Sequence, residues 1–300
     1  MNQHTIAEKI ACTGIGLHSG EPVQLTLRPA RAGSGVVFVR TDLPQAVEIP
    51  ARPEAVTATR YATTLGHGRA TVGTVEHLLA AVYSLGIDNL RVEVHGPEIP
   101  VMDGSSASFV FLLRAAGLFE QPAPRARLRV QRPLEVRDGD RFIRIEPGTG
   151  LRITYAIDYL HPAIGRQVLT DLALDADSFE RELCRARTFG FLHEVQTLWQ
   201  NGLARGGNLD NTVVLDEDRV LNRDGLRWAD EFVRHKALDL VGDLALLGVP
   251  VEGHVVVERG GHALHQRLLA ELLANRSAWR VVAPSAGRAQ PSAAVVAGLS

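Results

Sequence analysis

The sequence predicts an α+β protein of two domains with similar plan, each a β-sheet layered against helices. Three observations carry that prediction. The chain has 300 residues, 45% of them apolar, enough for two cores when a domain usually takes about 100–200 residues. Each half runs strands first and helices afterwards. Between the halves, Gln121-Pro122-Ala123-Pro124 breaks the hydrophobic periodicity, which puts the boundary there: residues 1–122, then 123–282.

In the first half, Val23–Leu27 alternates, Gly35–Val39 is β-branched and Asn89–Val94 alternates again, so all three read as strands. Thr74 to Leu85 reads as a helix capped by Thr74 and stopped by Gly86; Ser106 to Ala116 reads as a second, stopped by Gly117. In the second half, Leu128–Val136 and Phe142–Ile145 flank Asp138-Gly139-Asp140 as a hairpin, and Leu151–Ile157 continues as a strand. Helices are expected around Asp177–Arg185 and Asp230–Leu247, a strand over Gly253–Glu258 and a last helix over His262–Leu273. Residues 283–300, rich in Ala, Ser, Gly and Pro, read as a disordered tail. The halves share no sequence repeat.

Composition narrows the function classes. A net charge of −2 gives no electrostatic case for nucleic acid or an anionic membrane, and the local run Arg125, Arg127, Arg129, Arg132 reads as a solvated strand face. Cys12 and Cys184 form no CxxC pair, which fits a reducing compartment. With no signal-like N-terminus and no apolar run of about 18 residues, the expectation is a cytoplasmic protein. Lys9 and Lys236 are the sole lysines among 32 basic residues, and Lys236 stands beside a candidate ligand.

Three local patterns carry chemistry. In Phe232–Asp243 the apolar residues Val233, Ala237, Leu240 and Val241 mark one helical stripe, and His235, Asp239 and Asp243 mark another. Positions i, i+4 and i+8 drift only about 80° around the axis, so an imidazole and a carboxylate one turn apart can share a divalent cation. Read alone, the stripe is more simply a solvated polar face on an amphipathic helix. Glu76-His77 opens a helix; His77 would complete a set of two histidines and one carboxylate with an open fourth position, and Glu76 would take a proton from water there. Gly260-Gly261-His262 presents a histidine at a strand–helix junction. The helix terminus would depress its pKa, and Asp243 is the carboxylate that would restore it.

Five motifs in order, Thr74-Val75-Glu76-His77-Leu78, Pro97 to Ser105, Arg185 to Phe191, Glu231 to Asp239 and Gly261 to Leu264, resemble the bacterial UDP-3-O-acyl-N-acetylglucosamine deacetylases of lipid A synthesis. The resemblance runs from about Ile10 to Trp279. It implies a zinc amidase with its active site between the two domains. The metal ligands match His77, His235 and Asp239, with one Zn2+ per chain or Fe2+ in its place. The general base matches Glu76, the second catalytic histidine His262 with Asp243, and the residues near the reacting carbonyl Thr188 and Lys236.

For the substrate, a UDP-linked, 3-O-acylated N-acetylglucosamine, the resemblance implies Phe189 along the groove and Asp158 and Tyr159 at the uridine. Arg141 and Arg259 stand where relatives often carry lysine near the diphosphate and sugar; a guanidinium keeps the charge but binds phosphate as a fork. Phe191 to Val220, with Leu192, Leu198, Trp199, Leu203, Val213 and Val214, matches an insert that sheathes the acyl chain, although each residue also reads as ordinary core. His18, in Gly16-Leu17-His18-Ser19-Gly20, matches a motif with a supporting role. No transmembrane segment is expected, and the substrate would be met at the inner membrane surface. A zinc de-N-acetylase for another amino sugar and a catalytically silent UDP-sugar sensor are the competing readings; the intact set Glu76, His77, His235, Asp239 and His262 speaks against the sensor.

Overall fold

The computed structural model describes residues 1–283; the expected tail from 284 onward lies outside the described residues. The first half contains β1 (Asn2–Ile6), β2 (Ile10–Ile15), β3 (Pro22–Pro29), β4 (Val36–Arg40), β5 (Val47–Pro50), β6 (Val56–Ala58), β7 (Thr64–His67), β8 (Ala70–Val72), α1 (Glu76–Ser84), β9 (Leu90–His95), α2 (Ala107–Ala115) and β10 (Leu118–Pro124). A five-stranded sheet in the order β2-β3-β9-β4-β5 carries the core, with β4 parallel to β9 and the other pairs antiparallel. Its alternating strands turn Val23, Leu25 and Leu27 inward, where Leu78, Leu79 and Val82 of α1 belong to the same core.

The second half contains β11 (Arg127–Val130), β12 (Leu134–Asp138), β13 (Arg141–Glu146), β14 (Leu151–Tyr159), β15 (Gly165–Leu174), α3 (Ala176–Ser178), β16 (Phe189–Phe191), α4 (Leu192–Gln200), β17 (Val213–Leu215), α5 (Glu231–Leu244), β18 (Val251–Glu258), α6 (His262–Ala274) and β19 (Trp279–Val282). β18 is the hub of a seven-stranded sheet: antiparallel to β13, parallel to β14 and β11, with β15 added beyond β14. α5 packs against α1 of the first half and against β14, β15 and α6 of its own half. Two sheets, each with helices against it, fulfil the expected fold class.

Several details differ from the sequence expectations. The Gln121–Pro124 stretch is no irregular joint: it ends β10, which pairs antiparallel with β1 from Asn2↔Pro124 to Ile6↔Leu118. Proline is tolerated there because a two-stranded ribbon leaves each strand an unpaired side. Leu128–Val136 is two strands, interrupted at Gln131-Arg132-Pro133, and only the second joins the hairpin. Strand β15 was not foreseen; it is an edge strand with few buried residues, so its apolar signal is weak. The helix expected around Asp177–Arg185 is a short turn capped by Asp175, followed by a π-helical turn over Phe179–Leu183.

Thr74 does not cap α1. Its φ is 55°, its hydroxyl donates to Glu98 Oε2 at 3.0 Å, and the helix begins at Glu76 with Val75 in the cap position. The chain bends sharply just before Glu76-His77. Glu98 also accepts from the backbone N–H groups of His18 and Ser19 and from the Ser19 hydroxyl, so the Gly16–Gly20 motif and the start of α1 are tied to one buried carboxylate.

Candidate functional site

The site grows where α1 crosses α5. Gly242 lies on α5 against the backbone of Glu76, and a Cβ there would overlap the Glu76 carbonyl oxygen. Only glycine permits this approach. It brings His77 of α1 beside His235 and Asp239 of α5, one helical turn apart. The solvated-face reading of α5 does not survive, because twelve of its fourteen residues are buried, Asp239 and Asp243 among them.

Asp239 Oδ1 stands 3.3 Å from His235 Nε2 and 3.7 Å from His77 Nε2, and the two imidazoles meet edge to face with centroids 5.0 Å apart. One ligand atom from each of the three residues falls within 4.8 Å of the others. Donors about 2.0–2.1 Å from a tetrahedral zinc stand roughly 3.3 Å from each other, so the spacing suits one cation. Asp239 Oδ1 is buried and has no hydrogen-bond partner. A buried carboxylate oxygen without a partner is costly, and a cation shared with the two imidazoles would satisfy it. The donor set therefore fits a divalent metal.

The surroundings hold that set in place. His235 Nδ1 lies 3.0 Å from the Ala186 carbonyl, which accepts its proton and leaves Nε2 bare toward Asp239. Lys236 Nζ donates to Asp239 Oδ2 at 2.8 Å, so Oδ1 is the oxygen left for a metal. Burial opposes the charge on Asp239, but the ammonium of Lys236 and the imidazolium of His262 hold its carboxyl far below the usual range. Burial and then the neighbouring His235 push His77 down to about 3, so both candidate histidine ligands stay neutral, as a metal requires.

Glu76 and His262 flank the cluster. Glu76 Oε2 accepts from the Thr63 N–H at 3.1 Å, while Oε1 stands 3.7 Å from His262 Nε2. Burial, followed by Asp239 and Asp243, raises Glu76 to about 7 against the pull of His262. His262 is the first residue of α6. Burial acts to lower its pKa, but Asp243, bonded to Nδ1 at 2.8 Å, and then Glu76 and Asp239 raise it to about 9. The expected contest between helix terminus and carboxylate is won by the carboxylate.

Of the other candidates, Phe189 packs edge to face on Phe232 at 5.0 Å and lies 6.3 Å from His235, with Tyr159 at 5.8 Å on another side. Thr188 sits two residues after Ala186, its backbone bonded to Gly104 and Val213. β16 and β17 are parallel and joined through α4. In this segment Val213 and Leu215 are core, whereas Leu192 and Trp199 are exposed. Arg141 pairs with Asp138 at 2.7 Å, and Arg259 pairs with Asp140 on the same exposed turn. Asp158 is exposed at the end of β14, in register with Arg166.

Residues 3–274 match the family described as UDP-3-O-acyl N-acetylglycosamine deacetylase. The chain belongs to this family. It is a metal-dependent deacetylase of lipid A biosynthesis, in a family whose members use zinc, and the buried His77, His235 and Asp239 form a group able to hold a metal. For this deacetylase no helix among the described residues is long and apolar enough to cross a membrane.

Sequence reasoning missed two neighbours of the deacetylase cluster. The Thr63 hydroxyl donates to Asp243 Oδ1 at 2.6 Å; 180 residues separate them, and nothing local marks Thr63. His265 Nδ1 lies 2.8 Å from Asp243 Oδ2; its signal was available, a histidine three positions after His262 on one helix.

Proposed function

We propose that this deacetylase removes acetate from UDP-3-O-[(3R)-3-hydroxyacyl]-N-acetylglucosamine with one zinc ion held by His77, His235 and Asp239. The single observation carrying the reading is the partnerless Asp239 Oδ1 facing the Nε2 atoms of His235 and His77. When bound, zinc supplies the Lewis acidity that activates a water and polarises an amide carbonyl.

The protein's own residues then divide the proton work. Glu76, poised near neutrality and tethered through Oε2 to Thr63, takes the proton of the attacking water at Oε1. His262 carries a proton at Nε2 because Asp243 stabilises the imidazolium. It faces the charge developing on the carbonyl oxygen and gives its proton to the departing glucosamine nitrogen as the C–N bond breaks. The Thr188 hydroxyl adds a donor to the oxyanion, a contribution of roughly 3–4 kcal/mol where such donors have been removed. Lys236 fixes Asp239 and brings positive charge close by.

Phe189 and the segment 191–220 take the acyl chain, Asp158 and Tyr159 the uridine, and Arg141 and Arg259 the diphosphate and sugar. This reading divides the chain into domains 1–122 and 123–282 with the site between them. It places the reaction in the cytoplasm, with the acylated substrate met at the inner membrane surface.

Elemental analysis beside an acetate-release assay tests the proposal. One zinc per chain is expected, with fast hydrolysis of the acylated substrate and slow hydrolysis of UDP-N-acetylglucosamine. His77→Ala should lose both the metal and turnover. Full activity of metal-depleted H77A would end the ligand assignment; equal rates on the two substrates would favour a de-N-acetylase of another amino sugar.

A further inference from the structure

The Asp243 carboxylate is saturated. Oδ2 accepts from His262 Nδ1 and His265 Nδ1, each at 2.8 Å, while Oδ1 accepts from the Thr63 hydroxyl at 2.6 Å and Gln266 Nε2 at 3.2 Å. A carboxylate has about four lone-pair sites, and four donors fill them. An ionised carboxylate only accepts, so both imidazoles must turn Nδ1–H toward it. Burial keeps His265 neutral by lowering its pKa, which leaves its Nε2 bare. The Tyr155 hydroxyl, 3.1 Å away, donates to that nitrogen. Tyr155 and His265 are 0% and 1% exposed, so water has no room to replace either partner.

Asp243, His262 and His265 also lie close enough to be considered a cation site. Two nitrogens at hydrogen-bond distance from one oxygen leave protons between them instead, so this trio is a lock and not a second metal centre. We propose that His265, oriented by Tyr155, is a positioning residue for deacetylation: its Nδ1–H pins Asp243, and Asp243 then pins the His262 ring with Nε2 toward Glu76 and Asp239. The proposal rests on the role given to His262 above. Without His265, one lone pair of Oδ2 is freed, the carboxylate can rotate, and the His262 ring loses its fixed heading.

Three variants test this, each assayed for kcat, KM and zinc content and by far-downfield proton NMR of the imidazole Nδ1–H signals. His265→Leu removes the donor and should lower kcat about tenfold at unchanged KM and zinc content, the size usual for losing a supporting hydrogen bond. Its His262 Nδ1–H signal should broaden or vanish. His265→Asn places an amide N–H where Nδ1 stood but cannot reach Tyr155. It should return kcat to within about threefold of wild type and restore the signal. Tyr155→Phe should shift the His265 Nδ1–H signal and leave zinc in place.

Wild-type kcat with an unshifted His262 signal in H265L would overturn the proposal. So would H265N being as impaired as H265L, since that marks simple loss of packing. Should H265L not fold, H265N and Y155F decide: an impaired H265N, or a Y155F spectrum identical to wild type, overturns it. Wild-type protein releasing no acetate would instead strike the functional reading, while the NMR arm still reads the lock itself.

Discussion

Replacing Arg187 with methionine should destabilise the protein most at neutral pH and least in acid. Glu231 opens α5 with 0% exposure. It accepts from Arg187 Nε at 2.8 Å and Nη2 at 3.1 Å, from the Arg187 N–H at 3.0 Å and from the Arg227 N–H at 2.6 Å. Methionine keeps the volume but removes two of the four donors and the only guanidinium. Breaking one side of a buried pair costs about 3–5 kcal/mol; two backbone donors survive, so the lower end, about 3 kcal/mol, is expected. For a domain of this size that lowers Tm by roughly 6–12 °C.

The pH dependence has a definite sign. Burial alone would raise the Glu231 pKa, but Arg187 and the two backbone N–H groups hold it below its usual value. In the wild type this carboxylate therefore contributes stability above its unfolded pKa of about 4.3, lost as pH falls through the lower folded value. In R187M the carboxylate is buried without its cation, its folded pKa moves above the unfolded one, and protonation relieves the strain. The deficit of R187M against wild type, measured by urea unfolding, should shrink from pH 7.5 toward pH 5, and R187M/E231Q should recover much of it. A deficit below about 1 kcal/mol at pH 7.5, or one that grows on acidification, would refute the reasoning.

Gly242→Ala forces α5 away from the Glu76 carbonyl and should abolish metal binding while circular dichroism stays near native; retained stoichiometric zinc would contradict the tight crossing. Glu76→Gln keeps the ligand set and should retain zinc while kcat drops about 10²- to 10⁴-fold, the range for losing a general base; stopped-flow acetate release measures it. Hydroxamates, which chelate through two oxygens, should inhibit competitively in rate assays with wild type and bind H77A poorly by calorimetry.

Much of the site was readable because its chemistry is local. His235 and Asp239 share one helical turn, and Glu76-His77 sits at a helix start. What the sequence could not supply was distance in space. Thr63 reaches Asp243 across 180 residues, and Gly242 matters only because another backbone lies against it. In the fold, strands with clean alternation were legible. β15 escaped because an edge strand buries little, and the Pro122–Pro124 stretch misled because proline signals a break in an isolated segment but is tolerated in a two-stranded ribbon.

The crossing of α1 and α5 has a consequence for synthesis. Glu76 and His77 leave the ribosome more than 150 residues ahead of His235, Asp239 and His262. A chain that ends before α5 thus owns Glu76 and His77 but neither His235 nor Asp239. The ligand set closes only when α5 packs on α1, and the Asp243–His262 pair only when α6 docks after it.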